Sequence, residues 1–220
     1  CIRDRLLAYT FLTILLLLCG SCQEDDYVYP DVLTELAEAQ TNDKGTLTYL
    51  LTDKGDKYRV LEREGLEGLT PDSIYRALCV YQVTDTQGKT VQLYSAQKVL
   101  SMLPKPASAF TDGVRTDPLD IQSIWLSGRY LNMVLLPMAK DKSHIYHFVE
   151  NGLTQRTEGG NQLELTLYHD QNGDYEAFTR KTYLSIPLWE YGDKLGTGDR
   201  IILHIRTYQE GETTREFMIP

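Results

Sequence analysis

The sequence predicts an all-β chain: an OB-like five-stranded barrel followed by an antiparallel β-sandwich of about seven strands. Three observations predict it. Short runs of alternating apolar and polar residues recur along the chain, turns rich in Gly, Asn and Asp separate them, and a proline-marked break falls near the middle. At 220 residues there is room for one large domain or two of about 100, and a hydrophobic fraction of 42% excludes intrinsic disorder. Tyrosine dominates the aromatics, with 15 Tyr against 5 Phe and 2 Trp, which suits strands and contact surfaces. Asp and Glu number 31 against 22 Lys and Arg, so the net charge is -9. Such a balance repels phosphate backbones and argues against a nucleic-acid partner.

Residues 1–21 read as a signal peptide. Arg3 and Arg5 form a basic start, Leu6 to Leu18 form an apolar run too short to span a bilayer, and Gly20-Ser21 supply small residues at its end. Cys22 follows at once, and this small-small-Cys ending resembles the lipobox of bacterial lipoproteins, with Cys22 the residue that takes the lipid. Cys19 is the poorer candidate because bulky Leu18 precedes it. Two or three acyl chains, at about 0.8 kcal/mol per buried methylene, make such attachment effectively permanent. Residues 22–30 then form a tether whose Gln23-Glu24-Asp25-Asp26 cluster resembles the surface-export signal of Bacteroidetes lipoproteins. The expected address is the outer membrane of the cell envelope, facing the surface or the periplasm. The chain opens on Cys1 without an initiator Met, so its true start is expected elsewhere.

Residues 31–103 carry the barrel pattern. Strands are expected at Val32–Ala39, Thr46–Thr52, Lys57–Leu61, Arg76–Thr84 and Thr90–Leu100, with turns at Asn42-Asp43-Lys44-Gly45, Asp53-Lys54-Gly55-Asp56 and Asp85-Thr86-Gln87-Gly88. Ala77, Cys79, Tyr81 and Val83 share one face of the fourth run. Five strands with the widest gap between the third and fourth match the rhythm of an OB-type barrel. With Cys22 acylated, Cys79 has no disulfide partner in the mature chain and reads as a small buried hydrophobe.

Pro104, Pro106 and Pro118 punctuate a stretch without apolar period, so residues 104–118 read as a linker. The sandwich is then expected over 119–220. Its runs are Leu119–Leu126, Arg129–Met138, Ser143–Glu150, Gln162–His169, Tyr175–Leu188, Arg200–Tyr208 and Thr214–Ile219. Leu163, Leu165 and Leu167 alternate with Glu164 and Thr166, as Ile201, Leu203 and Ile205 do with their neighbours.

The Ser21-Cys22 ending, the OB-like half and the segments Asp120–Met133 (DIQSIWLSGRYLNM) and Leu195–Ile205 (LGTGDRIILHI) together resemble the NigD-like lipoproteins. That resemblance implies envelope proteins built of an N-terminal OB-like domain and a C-terminal β-sandwich. Its motifs are structural. The family's name comes from a bacteriocin-associated gene cluster, which is the ground for an immunity-like alternative.

No segment carries a catalytic signature, and no cofactor is implied. His144 and His147 fall three apart in a strand-like run, where side chains point to opposite faces and cannot share an ion. Asp170-Gln171-Asn172-Gly173-Asp174 spaces its oxygens like the start of a calcium loop, but Tyr175 and Lys181 stand where that template needs Gly and Glu. Asn172-Gly173 predicts a type I′ hairpin instead. No G-x-S-x-G occurs. Trp125 and Tyr130 read as core, whereas Trp189 and Tyr191, beside Glu190 and Gly192, are the candidate ligand contacts. The expectation is a non-enzymatic, lipid-anchored protein whose two β-domains serve binding or assembly. Its partners would be the membrane through the anchor and a protein or glycan.

Overall fold

A computed structural model of the protein describes residues 31–220. The signal peptide, Cys22 and the acidic tether fall outside the described residues.

The first half closes into a barrel. Strands β1 (Leu33–Thr41), β2 (Leu47–Thr52), β3 (Lys57–Val60), β4 (Ile74–Asp85) and β5 (Thr90–Lys98) pair in the order β1-β2-β3-β5-β4, and β4 returns to β1. Antiparallel pairing joins every neighbour except β3 and β5, which run parallel through Arg59↔Thr90 and Val60↔Val91. A parallel pair needs a long crossover, and β4 lies within it. Period-two alternation fills the interior with Ala37, Ala39, Leu50, Ala77, Cys79, Tyr81, Val91 and Leu93. Small residues on β1 leave room for the Tyr81 ring, as the taper of a small barrel requires.

The second half is a sandwich. Its strands are β6 (Leu100–Ser101), β7 (Lys105–Pro106), β8 (Asp120–Ser127), β9 (Tyr130–Leu136), β10 (Met138–Ala139), β11 (Ile145–Gln155), β12 (Asn161–Asp170), β13 (Phe178–Thr179), β14 (Thr182–Pro187), β15 (Arg200–Thr207) and β16 (Gly211–Met218). One sheet runs β16-β15-β12-β11-β7, the other β6-β14-β9-β8, and β10 pairs with β13 beside them. Leu163, Leu165, Ile201 and Leu203 of the first sheet meet Leu131, Met133, Leu184 and Ile186 of the second, all fully buried. Each such side chain contributes about 1.5–3 kcal/mol by leaving water.

Three details depart from the sequence reading. The sandwich is not purely antiparallel: β12 and β15 run parallel, because the chain between them visits the opposite sheet as β14. The proline-rich stretch expected as a linker is stitched into the sandwich. Within it, β7 lies parallel to β11 at a sheet edge, where proline's missing N–H costs no ladder bond, and just before it β6 lies parallel to β14. Asn172 and Gly173 do take positive φ, at 56° and 62°, but form no hairpin, since β12 pairs with β11 and β15. The Asp174 carboxylate accepts the Lys140 and Asp141 N–H groups and draws the chain away from β12. The run expected as one strand over Tyr175–Leu188 accordingly divides into β13 and β14.

Candidate functional site

Barrel and sandwich meet through a polar seam set by two short signals. Ser127↔Tyr130 closes the β8–β9 hairpin over a two-residue loop, Gly128-Arg129, with Gly128 at φ 56° in the first loop position. That hairpin tip touches the barrel: a Cβ on Gly128 would stand 3.1 Å from both the Cα and the carbonyl oxygen of Asp53, on the β2–β3 turn. From the barrel, Glu38 and Arg76 sit on the outward faces of β1 and β4, directly opposite each other in the ladder. Outward charged residues are expected in water, yet here Glu38 is 3% exposed and Arg76 4%, because the sandwich covers them.

The buried charges are all answered. Arg76 donates from Nη1 and Nη2 to the two Asp53 carboxylate oxygens at 2.6 and 2.7 Å, and from Nη2 to Asn132 Oδ1 at 2.9 Å. Ser185 Oγ donates to the same Asn132 oxygen at 2.7 Å. The Arg76 guanidinium lies 3.9 Å over the Tyr130 ring. Glu38 accepts from Arg129 Nε and Nη2 at 3.0 and 2.8 Å and from the Tyr130 hydroxyl at 2.9 Å. Burial, then the Glu38 carboxylate, pushes the Tyr130 hydroxyl pKa well up, so it stays a donor. The Arg129–Glu38 ion pair thus bridges the halves, whereas the bidentate Arg76–Asp53 pair lies within the barrel and reaches the sandwich through Asn132.

Beside the seam opens a cleft of about 730 Å³ lined from both halves, among others by Tyr75, Lys98, Arg129 and Trp189. Of the two expected contact residues, Trp189 belongs here: it is 43% exposed, meets Tyr130 edge-on at 5.4 Å, and lies under the Arg129 guanidinium at 4.9 Å. Tyr191 does not. It is 6% exposed in the sandwich core, and its hydroxyl donates to Glu150 at 2.5 Å. Both residues lie in one 3₁₀ turn, Trp189–Tyr191, whose three-residue period turns them to different sides. Tyr130 is buried as expected, but at the seam, and Trp125 is half-buried on the edge strand β8. Glu38, Asp53, Arg76 and Arg129 escaped the sequence reading. The signal that could have found them is the oppositely charged pair on β1 and β4, Glu38 between buried Ala37 and Ala39 and Arg76 beside buried Ala77.

A family model described as the NigD-like C-terminal beta sandwich domain matches residues 101–219. The chain belongs to the NigD-like family. A solved NigD-like immunity protein from Bacteroides caccae is 31% identical, with a TM-score of 0.70 over 87% of this chain and 94% of that one. A Bacteroides vulgatus protein of unknown function superposes at 0.66, with 19% identity over 86% and 91% of the two chains. A candidate lipoprotein from Bacteroides fragilis superposes at 0.60, with 13% identity over 87% and 99%. These last two carry the fold alone. No curated protein matches the chain.

This NigD-like chain holds a second polar cluster, at one end of the sandwich. The histidines of the expected non-pair part company: His147 meets Phe110 edge-on, whereas His144 Nδ1 lies 2.9 Å from His169 Nε2. His169 Nδ1 lies 2.8 Å from the Asp117 carbonyl, so Nδ1 carries a proton and Nε2 accepts from His144. Tyr146 stacks on His169 at 4.9 Å and closes the cluster. Burial holds the His169 pKa below its ordinary value.

Proposed function

We propose that this NigD-like chain is a non-enzymatic lipoprotein of the outer membrane, held through Cys22, whose two β-modules act as one binding body. The observation that carries the reading is the seam. Three nearly buried charges, Glu38, Asp53 and Arg76, and the half-exposed Arg129, each bonded across or along the joint, hold the halves at one angle and fix a cleft that neither half makes alone. Clefts at such joints are where small proteins gather ligands. The anchor rests on Gly20-Ser21-Cys22 after the apolar run, and the fold likeness to a candidate lipoprotein from Bacteroides fragilis is in keeping with it. The acidic residues after Cys22 favour surface display. A binding role also suits the reactive groups: Cys79 is fully buried with its thiol pushed up to about 12, and the His144–His169 pair is enclosed.

Feeding alkyne-palmitate to cells expressing the full chain tests this. Wild type should take the label and Cys22→Ala should not; equal labelling of both overturns the anchor. A second reading, immunity against a toxin, is favoured by the Bacteroides caccae relative, which is described as an immunity protein. Deleting the gene should then raise sensitivity to the bacteriocin of its own cluster, and unchanged sensitivity removes that reading.

A further inference from the structure

The cleft at the seam differs in charge from the rest of the molecule. Although the chain carries 31 Asp and Glu, no acidic side chain lines the cleft, and its charged residues are Arg76, Lys98 and Arg129. Arg76 is spent on Asp53 and Asn132. Arg129 gives Nε and Nη2 to Glu38, which leaves Nη1 uncommitted, and its side chain is 52% exposed. Lys98, exposed on β5, makes no salt bridge among the described residues and lies 5.3 Å over the Tyr75 ring. Two cations with unspent donors therefore face one cleft. Glu38 and the Trp189 ring already hold Arg129 in place, so little side-chain entropy remains to be lost on binding.

The cleft also carries apolar surface. Trp189 is 43% exposed and Ile74 57%. β6, whose Ser101 lines the cleft, is the outer strand of its sheet and has one side unpaired. No carboxylate or carboxamide lines the cleft, so it lacks the paired acceptors that sugar hydroxyls demand. Unspent cations, an exposed indole and an open strand edge complement carboxylates interleaved with apolar side chains.

We infer that the cleft binds an extended acidic segment of a protein partner, its carboxylates on Lys98 and Arg129 Nη1 and an apolar side chain against Trp189. This rests on the reading of the seam as a binding body and names the class of partner. The net charge of -9 opposes such a partner at a distance, so discrimination is local to the cleft, within the Debye length.

The test uses the full chain in detergent carrying Trp125→Phe, which leaves Trp189 as its one indole. A short alternating Glu–Leu peptide should shift Trp189 emission saturably, while a Lys–Leu peptide of equal length and polygalacturonate should not. Lys98→Glu should weaken the Glu–Leu peptide about tenfold, with Lys98→Gln between. Lys98 is exposed, so both variants should unfold where the parent does, which separates lost binding from lost fold. Absence of a saturable shift, an equal response to Lys–Leu, preference for polygalacturonate, or indifference to Lys98→Glu would each overturn the proposal. Palmitate labelling does not depend on the cleft, so the anchor and the ligand class can fail separately.

Discussion

Arg76 forks onto Asp53 at 2.6 and 2.7 Å although its direct partner across the ladder is Glu38. Glu38 is answered instead by Arg129, on the sandwich hairpin. Each member of a cross-strand pair of opposite charge has thus exchanged its neighbour for a third residue; the exchange ties Glu38 to the sandwich directly, while Arg76, forked onto Asp53 within the barrel, reaches the sandwich through Asn132. Had Glu38 and Arg76 paired with each other, the barrel would present a self-satisfied outer face with nothing for the sandwich to complete.

Removing Arg76 should therefore be costly. Arg76→Leu strands the nearly buried Asp53 carboxylate, and losing one member of a buried ion pair costs about 3–5 kcal/mol. Denaturant unfolding measures the loss, and the single transition should split as the joint weakens. Arg76→Leu with Asp53→Leu should recover part of the loss, because no unpaired charge then remains. A double variant that loses the sum of the two singles would show that these residues are not coupled.

Gly128 tests the joint from the other side. Gly113 and Gly128 both have positive φ, at 84° and 56°, but a Cβ on Gly113 meets open space and one on Gly128 meets the Asp53 backbone. Alanine at either position incurs left-handed strain of about 1 kcal/mol. Gly128→Ala must also push the hairpin tip off the barrel, for a total of about 2–3 kcal/mol. Thermal unfolding of the two variants, compared with wild type, isolates the close approach as their difference.

Stability should fall as pH drops below about 6.5. His169 protonates less readily folded than unfolded, chiefly through burial, so below the unfolded value of 6.5 the unfolded chain takes the proton first. The geometry gives the cause. His169 Nδ1 is committed to the Asp117 carbonyl, so a second proton must enter at Nε2, against the His144 N–H, with Tyr146 stacked above. Asp117, Asp170, paired with Arg115, and Asp174, 3.4 Å from His144 Nε2, are carboxylates that face the cluster and soften the effect. His147, on β11, is shifted the same way by burial and adds to the slope. Unfolding free energies at pH 7.5 and 5.5 should differ in wild type and differ less in His169→Gln. An equal slope in both would assign the effect to other groups.

The strands were legible because the sequence is periodic wherever one face is buried. Ala77, Cys79 and Tyr81, or Leu163, Leu165 and Leu167, announce both strand and inward face. The seam was not legible. Period two places Glu38 and Arg76 outside the barrel correctly, but says nothing of a second module covering that outside. The proline-rich stretch misled for a related reason: Pro106 breaks an interior ladder but not the edge that β7 forms, and edge strands of two residues leave no periodic trace. Trp189 was found as an exposed aromatic, whereas Tyr191, two positions on, was lost to the three-residue period of its turn.

Cys79 should be silent toward thiol reagents in the folded protein. Its sulfur is fully buried in the barrel, and desolvation raises the thiol pKa to about 12, leaving almost no thiolate at neutral pH. Alkylation followed by peptide mass analysis should find Cys79 unmodified under native conditions and modified in concentrated guanidinium. Native labelling would show that the barrel opens locally.

The Arg129–Glu38 pair should respond asymmetrically to the loss of either partner, because the two ends differ in exposure. The Arg129 side chain is 52% exposed and the Glu38 side chain 3%. Glu38→Gln keeps an acceptor for the Tyr130 hydroxyl and leaves Arg129 with water, so it should cost about 1 kcal/mol. Arg129→Ala removes the cation from a buried carboxylate that then keeps only the Tyr130 hydroxyl, and uncovers the Trp189 face; about 2–3 kcal/mol is expected. Replacing Arg129 by Lys should recover less than half of that loss, since an ammonium cannot supply the parallel donors that hold both Glu38 oxygens. Urea unfolding of the three variants orders them as Glu38→Gln, Arg129→Lys, Arg129→Ala from least to most destabilised. A reversed order would mean that the carboxylate, not the guanidinium, is the member of the pair that water can satisfy.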